Sequence, residues 1–454
     1  MLKKVFKIIL TIIISLILLI VILLAASLRK VDRQPFREAN YYKETLKNLD
    51  ELAKTLSPPV ENDIKVGTGK ASITPPVGVP LAGFGARKGA PSQGVHDSLF
   101  ARVIAIQSGE KTVCLLGFDA LIFNPPLARI LEDSAKARFE LDADQLLFTA
   151  THTHSGPGGW GNGFVEEQFS GPSDSRVPAI FIDSTLVAIG RALKNRQPAQ
   201  YISGSTKAPE YISNRLVGDK GETDPDIVYL AFLRDKKIVA LFATYSAHPT
   251  VLSSHNMLFS GDYPGYFERK IESAINGPAI FAAAGLGSQT NRGKGQGFKK
   301  AEYIGFGLAD SVLAHLQTKN AKPRAALRYF RLPIKMHDLQ VRITQNIRLA
   351  PWLAKRFFHV NKAFMQVIAL DHFLIIGSPG EFSGELALRV KKHARQKGDL
   401  VTITSFNGCY LGYVTPSQYY HLSTYETKLM SWFGPYTGDY FVDIMDRLID
   451  VVNE

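Results

Sequence analysis

Cysteine is scarce in this chain, which has only Cys114 and Cys409 among its 454 residues. Both lie in apolar, strand-like runs, so one disulfide and two buried free thiols are equally compatible with the sequence. Internal repeats and low-complexity tracts are absent. No Gly-x-Gly-x-x-Gly follows a strand and opens a helix, as a dinucleotide site requires. With 45% apolar and 21% charged residues, the composition is that of an ordinary globular protein.

Acidic residues are outnumbered by basic ones, 41 to 53, which gives a net charge of +12. The excess is concentrated between Arg324 and Lys362, where nine Lys/Arg residues accompany one acid, Asp338. Within this stretch, residues 351–358 mix bulky apolar side chains with cations, as suits the headgroup region of an anionic leaflet. A solvated loop and strand face is the alternative. Nucleic acid is not an expected partner, because no nucleic-acid-binding module is recognisable.

The N-terminus has the one long apolar run, from Ile8 to Leu28. A helix of about 20 residues spans a hydrocarbon core of about 30 Å. The run lacks a clear small-x-small cleavage site, which favours a retained signal anchor over a cleaved signal peptide. We therefore predict a single-pass membrane protein, with residues 1–28 as transmembrane helix, 29–62 as a stalk, and a domain over 63–454 outside the cytoplasm, on the periplasmic or extracellular side.

Beyond residue 63, short apolar strands alternate with helical stretches. This alternation predicts an α/β fold: mixed β-sheets with flanking helices in a single large domain. Strands are predicted at 100–107, 111–118, 145–149, 227–233, 238–245 and 278–283, and helices at 127–139, 178–192, 263–275, 301–316 and 383–397.

The run from Thr151 to Gly159, Thr-His-Thr-His-Ser-Gly-Pro-Gly-Gly, is the most informative motif. If the preceding strand continues through it, His152 and His154 point the same way, and one can bind a cation while the other faces substrate. Two ordinary surface or core histidines are the alternative.

Three further residues follow strands or open helices. His248 leaves a predicted strand, Asp262 either caps a helix or accepts a hydrogen bond from a metal-bound histidine, and Glu381 either binds metal or stabilises a helix N-terminus. Two histidines and a carboxylate would form a catalytic zinc site with an open position.

Six segments occur in the order found in neutral ceramidases. They are the histidine run, Ala247-His248-Pro249, Pro379 to Phe382, Tyr413-Val414-Thr415, Tyr425-Glu426-Thr427 and Phe433 to Thr437. The sequence therefore resembles this family, over roughly residues 66–437. The resemblance implies a Zn²⁺-dependent amidase that cleaves the N-acyl bond of ceramide. It implies zinc ligands His152, His248, Glu381 and Tyr413, with Tyr413 also stabilising the tetrahedral intermediate, and a substrate site lined by His154 and Arg215.

One loop departs from the family pattern Gly-Asp-x-Ser-Pro. Here Ser288 takes the place of the aspartate and Thr290 that of the serine. A threonine hydroxyl is more hindered as a nucleophile, so we expect metal-activated water to attack, with Thr290 as a helper and His154 assisting the leaving amine.

The expected function is hydrolysis of ceramide or a related N-acyl lipid by a membrane-anchored zinc amidase of the neutral ceramidase type. The alternatives are deacylation of another amide or ester lipid or an envelope conjugate, and a non-catalytic lipid-binding protein with an altered loop.

Overall fold

The computed structural model describes residues 2–358 and 362–454. Its α-helices over these residues are α1 Leu2–Ser27, α2 Asn40–Ala53, α3 Pro125–Phe139, α4 Phe164–Ser170, α5 Arg176–Lys194, α6 Asp262–Ala274, α7 Gly297–Leu316, α8 Pro351–Ala354, α9 Gly384–Gln396 and α10 Thr437–Asn453.

Two sheets form the centre of the domain. The larger sheet has the order β20-β18-β17-β15-β2-β4-β5-β6, and β7 also pairs with β2. Its strands are β2 Glu61–Ser72, β4 Phe100–Ser108, β5 Lys111–Phe118, β6 Leu146–Ala150, β7 Gln197–Pro198, β15 Arg324–Ile334, β17 Ala363–Leu370, β18 Phe373–Gly377 and β20 Leu400–Thr404. The smaller sheet has the order β13-β11-β10-β8. Its strands are β8 Gln200–Lys207, β10 Asp226–Arg234, β11 Lys237–Tyr245 and β13 Ala279–Ala283.

Short strand pairs complete the fold over the described residues. These pairs are β1 Leu28–Lys30 with β16 Ile347–Leu349, β3 Gly94–Val95 with β12 Leu258–Phe259, β9 Ile212–Asn214 with β14 Gln289–Asn291, and β19 Glu381–Phe382 with β21 Tyr413–Val414. Both large sheets mix parallel with antiparallel neighbours: β5 pairs β4 antiparallel and β6 parallel.

Side-chain alternation along the strands explains the layering. On β4, Ile104 and Ile106 face a core shared with the smaller sheet, whereas Val103 and Ala105 face a second core beneath α3 and α5. Helices α9 and α10 cover the neighbouring part of the same face, and α6 and α7 cover the outer face of the smaller sheet. The molecule is thus a four-layer arrangement of helices, two sheets and helices. This confirms the predicted class of mixed sheets with flanking helices in one large domain.

The segment predicted as a stalk contains α2, which packs on the domain. Tyr42 and Leu49 are buried in the core that α9 and α10 share, and the Thr45 hydroxyl lies 2.8 Å from that of Tyr440. The predicted stalk of residues 29–62 therefore includes a helix that packs on the domain. Its polar composition hid one apolar face, which is enough to dock an amphipathic helix.

The N-terminal apolar run forms α1, of which residues 3–27 are long and apolar enough to cross a membrane. The two cysteines are both buried and unpaired, as free thiols. Part of the basic stretch is strand β15, where Arg331 forms an ion pair with Glu132 at 2.6 Å. Residues 359–361 of that stretch, and Met1 of the predicted anchor, lie outside the described residues.

Candidate active site

The histidine run begins where the strand β6 ends. The strand stops at Ala150, so the expectation that it continues through the histidines was wrong. His152 instead adopts a left-handed backbone conformation with φ of 62°. Such a conformation is uncommon for a non-glycine residue and, besides turns and helix ends, clusters at functional sites. This turn, rather than strand alternation, brings the rings of His152 and His154 to the same point.

His248 completes a cluster of three imidazoles. It lies in the loop after β11, and its backbone carbonyl accepts hydrogen bonds from the Thr250 amide at 2.9 Å and the Asn291 side chain at 3.0 Å. Its Nε2 lies 3.1 Å from the Nε2 atoms of both His152 and His154, and the latter two are 3.3 Å apart. All three nitrogens therefore form one small triangle.

Hydrogen bonds among the imidazoles alone do not account for this triangle. The Nδ1 of His152 lies 2.7 Å from the Leu121 carbonyl, which can only accept, so Nδ1 carries a hydrogen and Nε2 is the nitrogen that faces the cluster. Three nitrogen ligands at about 2.0–2.1 Å from one zinc ion would be separated by about 3.3–3.4 Å in tetrahedral geometry. The observed separations are close to that value. The cluster of His152, His154 and His248 could therefore hold a metal ion.

A carboxylate lies beside this triangle. Glu381 begins the two-residue strand β19, and its Oε2 is 3.5 Å from the Nε2 of His152. This oxygen is buried and accepts no hydrogen bond from the described residues. A buried carboxylate oxygen without a partner is costly, and a cation at this position would satisfy it. The position of Glu381 is compatible with the predicted role of metal ligand, and it lies before the first turn of α9, which begins at Gly384.

Tyr413 is brought beside Glu381 by the parallel pairing of β19 with β21, in which the two residues are register partners. The guanidinium Nη2 of Arg215 donates a hydrogen bond to the Tyr413 oxygen at 3.0 Å. The phenolic hydrogen therefore remains available for another acceptor. Arg215 is held in turn by the Gly287 carbonyl at 3.1 Å and by an ion pair with Glu426 at 3.0 Å.

Burial and neighbouring charges determine the protonation of the site. Burial lowers the pKa values of His154 and His248 well below the usual range, and nearby positive groups, including Arg215, add to this effect. Both rings are therefore neutral and can act as ligands. Burial tends to raise the pKa of Glu381, but His152 and the hydroxyls of Tyr413 and Tyr410 outweigh it, and the pKa lies below its usual range. Burial beside Glu381 raises the pKa of Tyr413 well above its usual value.

These groups line one side of a cavity of about 390 Å³. The volume lies in the range of small-molecule sites, which are mostly apolar with a few convergent polar groups. The cavity lining includes His152, His154, Arg215, His248, Glu381 and Tyr413, together with apolar and aromatic residues such as Phe84, Leu121, Ile122, Phe169, Tyr410, Tyr425 and Met430.

Thr290 is not brought into this cavity. It lies in β14, paired with Ser213 of β9, and is not among the described residues that line the cavity wall. The loop before Thr290 holds neighbouring residues by hydrogen bonds. The Ser288 carbonyl accepts a hydrogen bond from the Arg215 amide at 2.9 Å, and the Ser288 hydroxyl donates to Glu385. Neither Ser288 nor Thr290, the two positions that depart from the family pattern, is among the described residues that line the cavity.

Asp262 also lies away from the three histidines. Its carboxylate accepts the backbone amides of Leu252 at 2.9 Å and Tyr263 at 2.6 Å. It therefore fastens the loop that carries His248 to the start of α6, and it does not contact an imidazole as one of our alternatives required.

Several contributors were missed in the sequence. The Tyr410 hydroxyl donates to Glu381 Oε1 at 2.7 Å, and the Phe406 ring stacks on His152 with centroids 4.5 Å apart. Gly83 passes so close to His154 that an added Cβ would lie 2.6 Å from the ring. Its φ of 112° also requires glycine. Tyr410 lies three residues before Tyr413, but an isolated tyrosine gives no signal of such a role.

Fold and site together define a class: a mixed α/β domain with buried histidines and a carboxylate converging on an apolar cavity. The sequence signature of a family, described as "Neutral/alkaline non-lysosomal ceramidase, N-terminal", matches residues 64–294. The chain belongs to this family.

Individual relatives agree with this assignment. The chain is 27% identical over 255 residues to the neutral ceramidase of Pseudomonas aeruginosa, a match that covers 50% of this chain and 36% of that protein. It is 25% identical over 229 residues to the neutral ceramidase of Drosophila melanogaster, covering 47% and 32%. The matches thus span about a third of the length of these relatives.

A solved structure shows the same fold. The crystal structure of neutral ceramidase from Pseudomonas aeruginosa superposes with a TM-score of 0.73 at 18% identity, covering 86% of this chain and 75% of that one.

Proposed function

We propose that this chain is a zinc-dependent amidase that hydrolyses the N-acyl bond of ceramide or a related N-acyl lipid. One observation carries the proposal: three imidazole Nε2 atoms and an unpartnered carboxylate oxygen converge on the wall of a largely apolar cavity. Family membership supplies the substrate class, since the matched relatives are named neutral ceramidases.

The proposed metal ligands are His152, His248, Glu381 and Tyr413. Zinc bound to them would polarise the amide carbonyl and lower the pKa of an attacking water toward neutrality. The residues themselves supply the remaining chemistry. Arg215 donates to the Tyr413 oxygen, so the Tyr413 hydroxyl keeps its own hydrogen to donate, to Glu381 at rest and, we propose, to the negative charge that develops on the carbonyl oxygen.

His154 is proposed to face the substrate, to accept a proton from the attacking water and to pass that proton to the nitrogen of the departing amine. Its low pKa keeps it neutral at rest, and its Nδ1 makes no hydrogen bond within the described part of the chain. The short distances from its Nε2 to the other imidazoles are also those of a ligand. A His154→Gln variant separates the two roles: retained zinc with reduced kcat supports the substrate role, and lost zinc makes His154 a ligand.

Thr290 is given no direct role in catalysis, because it is not among the described residues that line the cavity. Removal of its hydroxyl in Thr290→Val should therefore leave kcat nearly unchanged. A large fall in kcat would show that the Thr290 hydroxyl takes part in catalysis.

A membrane-anchored form is also part of this proposal. The helix α1 would hold the domain of residues 63–454 beside the bilayer, outside the cytoplasm, where a lipid substrate is concentrated. Its length and apolar composition support this arrangement.

The test uses the purified full-length chain in detergent with a fluorescent short-chain N-acylsphingosine. We expect cleavage that a chelator abolishes and zinc restores, and loss of both zinc and cleavage in His248→Ala. His255→Ala, an exposed histidine of the same loop, is the matched control and should behave as the parent. Zinc binding without cleavage of this substrate, but with cleavage of another lipid in an extract, would assign a different amide or ester. Zinc binding without cleavage of any lipid would support the non-catalytic alternative.

A further inference from the structure

The end of α1 is joined to one particular segment of the domain. Strand β1 pairs antiparallel with β16, with Leu28 opposite Leu349. The Ala350 amide donates to the Ser27 carbonyl at 2.7 Å, and the indole of Trp352 donates to the Ala26 carbonyl at 3.1 Å. We call residues 28–33 and 342–358 together the collar. The collar fixes the domain relative to the axis of α1.

The collar also reaches the cavity. Phe357 and Phe358 line a narrow cleft that shares Ile122, Phe169 and Tyr410 with the main cavity. On the other side, the Arg342 guanidinium donates to the carbonyls of Leu422 at 2.9 Å and Thr427 at 2.7 Å. It thereby holds the segment that carries Tyr425 at the cavity wall. One continuous structure therefore connects the end of α1 to the cavity.

Of the twelve large apolar side chains exposed on the described chain after α1, six lie on or beside this same structure, and they include most of the exposed aromatic rings and the exposed leucine. The aromatic and leucine side chains among them are Phe164, 68% exposed, Leu429, 55%, Trp352, 51%, Tyr425, 50%, and Phe357, 41%, with Tyr303 as the one such residue elsewhere in the described domain. The rings of Phe164 and Phe357 contact each other, with centroids 6.4 Å apart. A concentration of exposed apolar side chains of this kind marks an interaction site.

The charge of the collar identifies the chemistry of its partner. The collar contains seven Lys/Arg residues and one acid, Asp32. Arg29, Lys30, Arg33, Lys355 and Arg356 are exposed. Cations beside exposed aromatic rings suit a lipid surface that carries phosphate groups.

The position of the collar along the membrane normal also fits a lipid surface as its partner. From Ile8 to the end of α1 at Ser27, a helix at about 1.5 Å per residue spans about 30 Å, which matches a hydrocarbon core of about 30 Å. Ala26 therefore lies at the boundary of that core, and its contact places Trp352 at the same level. Tryptophan is enriched at this interface.

We propose that the collar, with Phe164, Tyr425 and Leu429, docks on an anionic phospholipid leaflet so that the cavity opens at the lipid surface. A lipid can then enter the site directly from the leaflet at the C-terminal end of α1. The entry of a lipid substrate rests on the proposed function, whereas the docking of the collar on the membrane does not require hydrolysis.

Spin labels on the full-length chain in vesicles test the docking. Labels are placed at Phe357→Cys and Leu429→Cys, with Val187→Cys as control, because Val187 is 47% exposed on α5. The parent chain, whose two cysteines are buried, reports background labelling. In phosphatidylcholine vesicles containing phosphatidylglycerol, we expect a several-fold higher ratio of oxygen to water-soluble nickel collisions at positions 357 and 429 than at 187. The double variant Lys355→Gln/Arg356→Gln should lower that ratio.

Equal collision ratios at all three positions would overturn the docking surface. A ratio unaffected by phosphatidylglycerol and by the double variant would overturn its preference for anionic lipid. The same measurement on the His248→Ala chain separates docking from catalysis. Docked labels on that inactive chain support the surface independently of the reaction, and undocked labels on an active parent chain refute only the surface.

Discussion

Replacing Tyr410 by phenylalanine isolates one hydrogen bond of the candidate metal site. The Tyr410 hydroxyl donates to Glu381 Oε1 at 2.7 Å, while Oε2 of the same carboxylate faces His152. The variant loses only the hydroxyl, because the ring keeps its contacts with Trp432 and Phe406, whose centroids lie 5.7 Å and 6.2 Å from that of Tyr410.

Two estimates give the size of the effect. A hydrogen bond to a charged group contributes about 1.5–3 kcal/mol. Loss of an outer partner of a metal ligand lowers metal affinity about 10–100-fold, or about 1.4–2.8 kcal/mol. The two ranges overlap, so we expect zinc affinity to fall by one to two orders of magnitude.

Competition with a chelator measures the zinc affinity, and kcat/KM is measured at saturating zinc. Tyr420→Phe is the matched control, because the buried Tyr420 hydroxyl has no hydrogen bond to the described residues. If Tyr410→Phe weakens zinc binding no more than Tyr420→Phe does, Tyr410 does not position Glu381 and the assignment of Glu381 as a ligand loses its support.

Three further predictions follow from the structure. Leu49→Ala should lower the free energy of unfolding, measured in urea, by about 2–5 kcal/mol, because Leu49 is buried against the domain. An effect no larger than that of Lys47→Ala, at an exposed position of the same helix, would show that α2 does not stabilise the domain by packing on it. Gly83→Ala should reduce kcat strongly, since its Cβ would collide with the His154 ring; parent-like kinetics would show that this approach is not required. Burial raises the pKa of Asp262 from 3.8 to about 6, against the backbone amides of Leu252 and Tyr263. The folded state therefore holds a proton that the unfolded state releases, and stability falls by about 3 kcal/mol in total as pH rises from about 3 to about 7. Asp262→Asn should remove this fall in urea unfolding series, and an unchanged slope would contradict it.

Much of the fold could be predicted because its strands and helices have strong periodicity. The predicted strand at 111–118 agrees with β5, and the predicted helix at 301–316 lies within α7. Strands β15, β17 and β18 were missed. On β15, Arg324, Arg328 and Arg331 interrupt the apolar run, and Arg331 is neutralised by a distant partner, Glu132, that no local pattern shows.

The candidate site was predictable only in part, and for a physical reason. Its members come from separate loops that tertiary packing brings together, so family order identified His152, His248, Glu381 and Tyr413 where spacing alone left alternatives. The turn at His152, the pairing of Glu381 with Tyr413 and the support from Tyr410 depend on contacts between distant segments. The place of Thr290 in the loop predicted a catalytic helper. In the structure Thr290 belongs to β14 and is not among the described residues that line the cavity.

The most direct test of the central claim is metal content measured together with hydrolysis of a short-chain N-acylsphingosine by the full-length chain. We predict about one zinc ion per chain, in line with a single catalytic zinc site, and cleavage that stops on chelation and returns with zinc. A chain that binds no metal, or one that cleaves the substrate equally well after complete metal removal, would contradict the account.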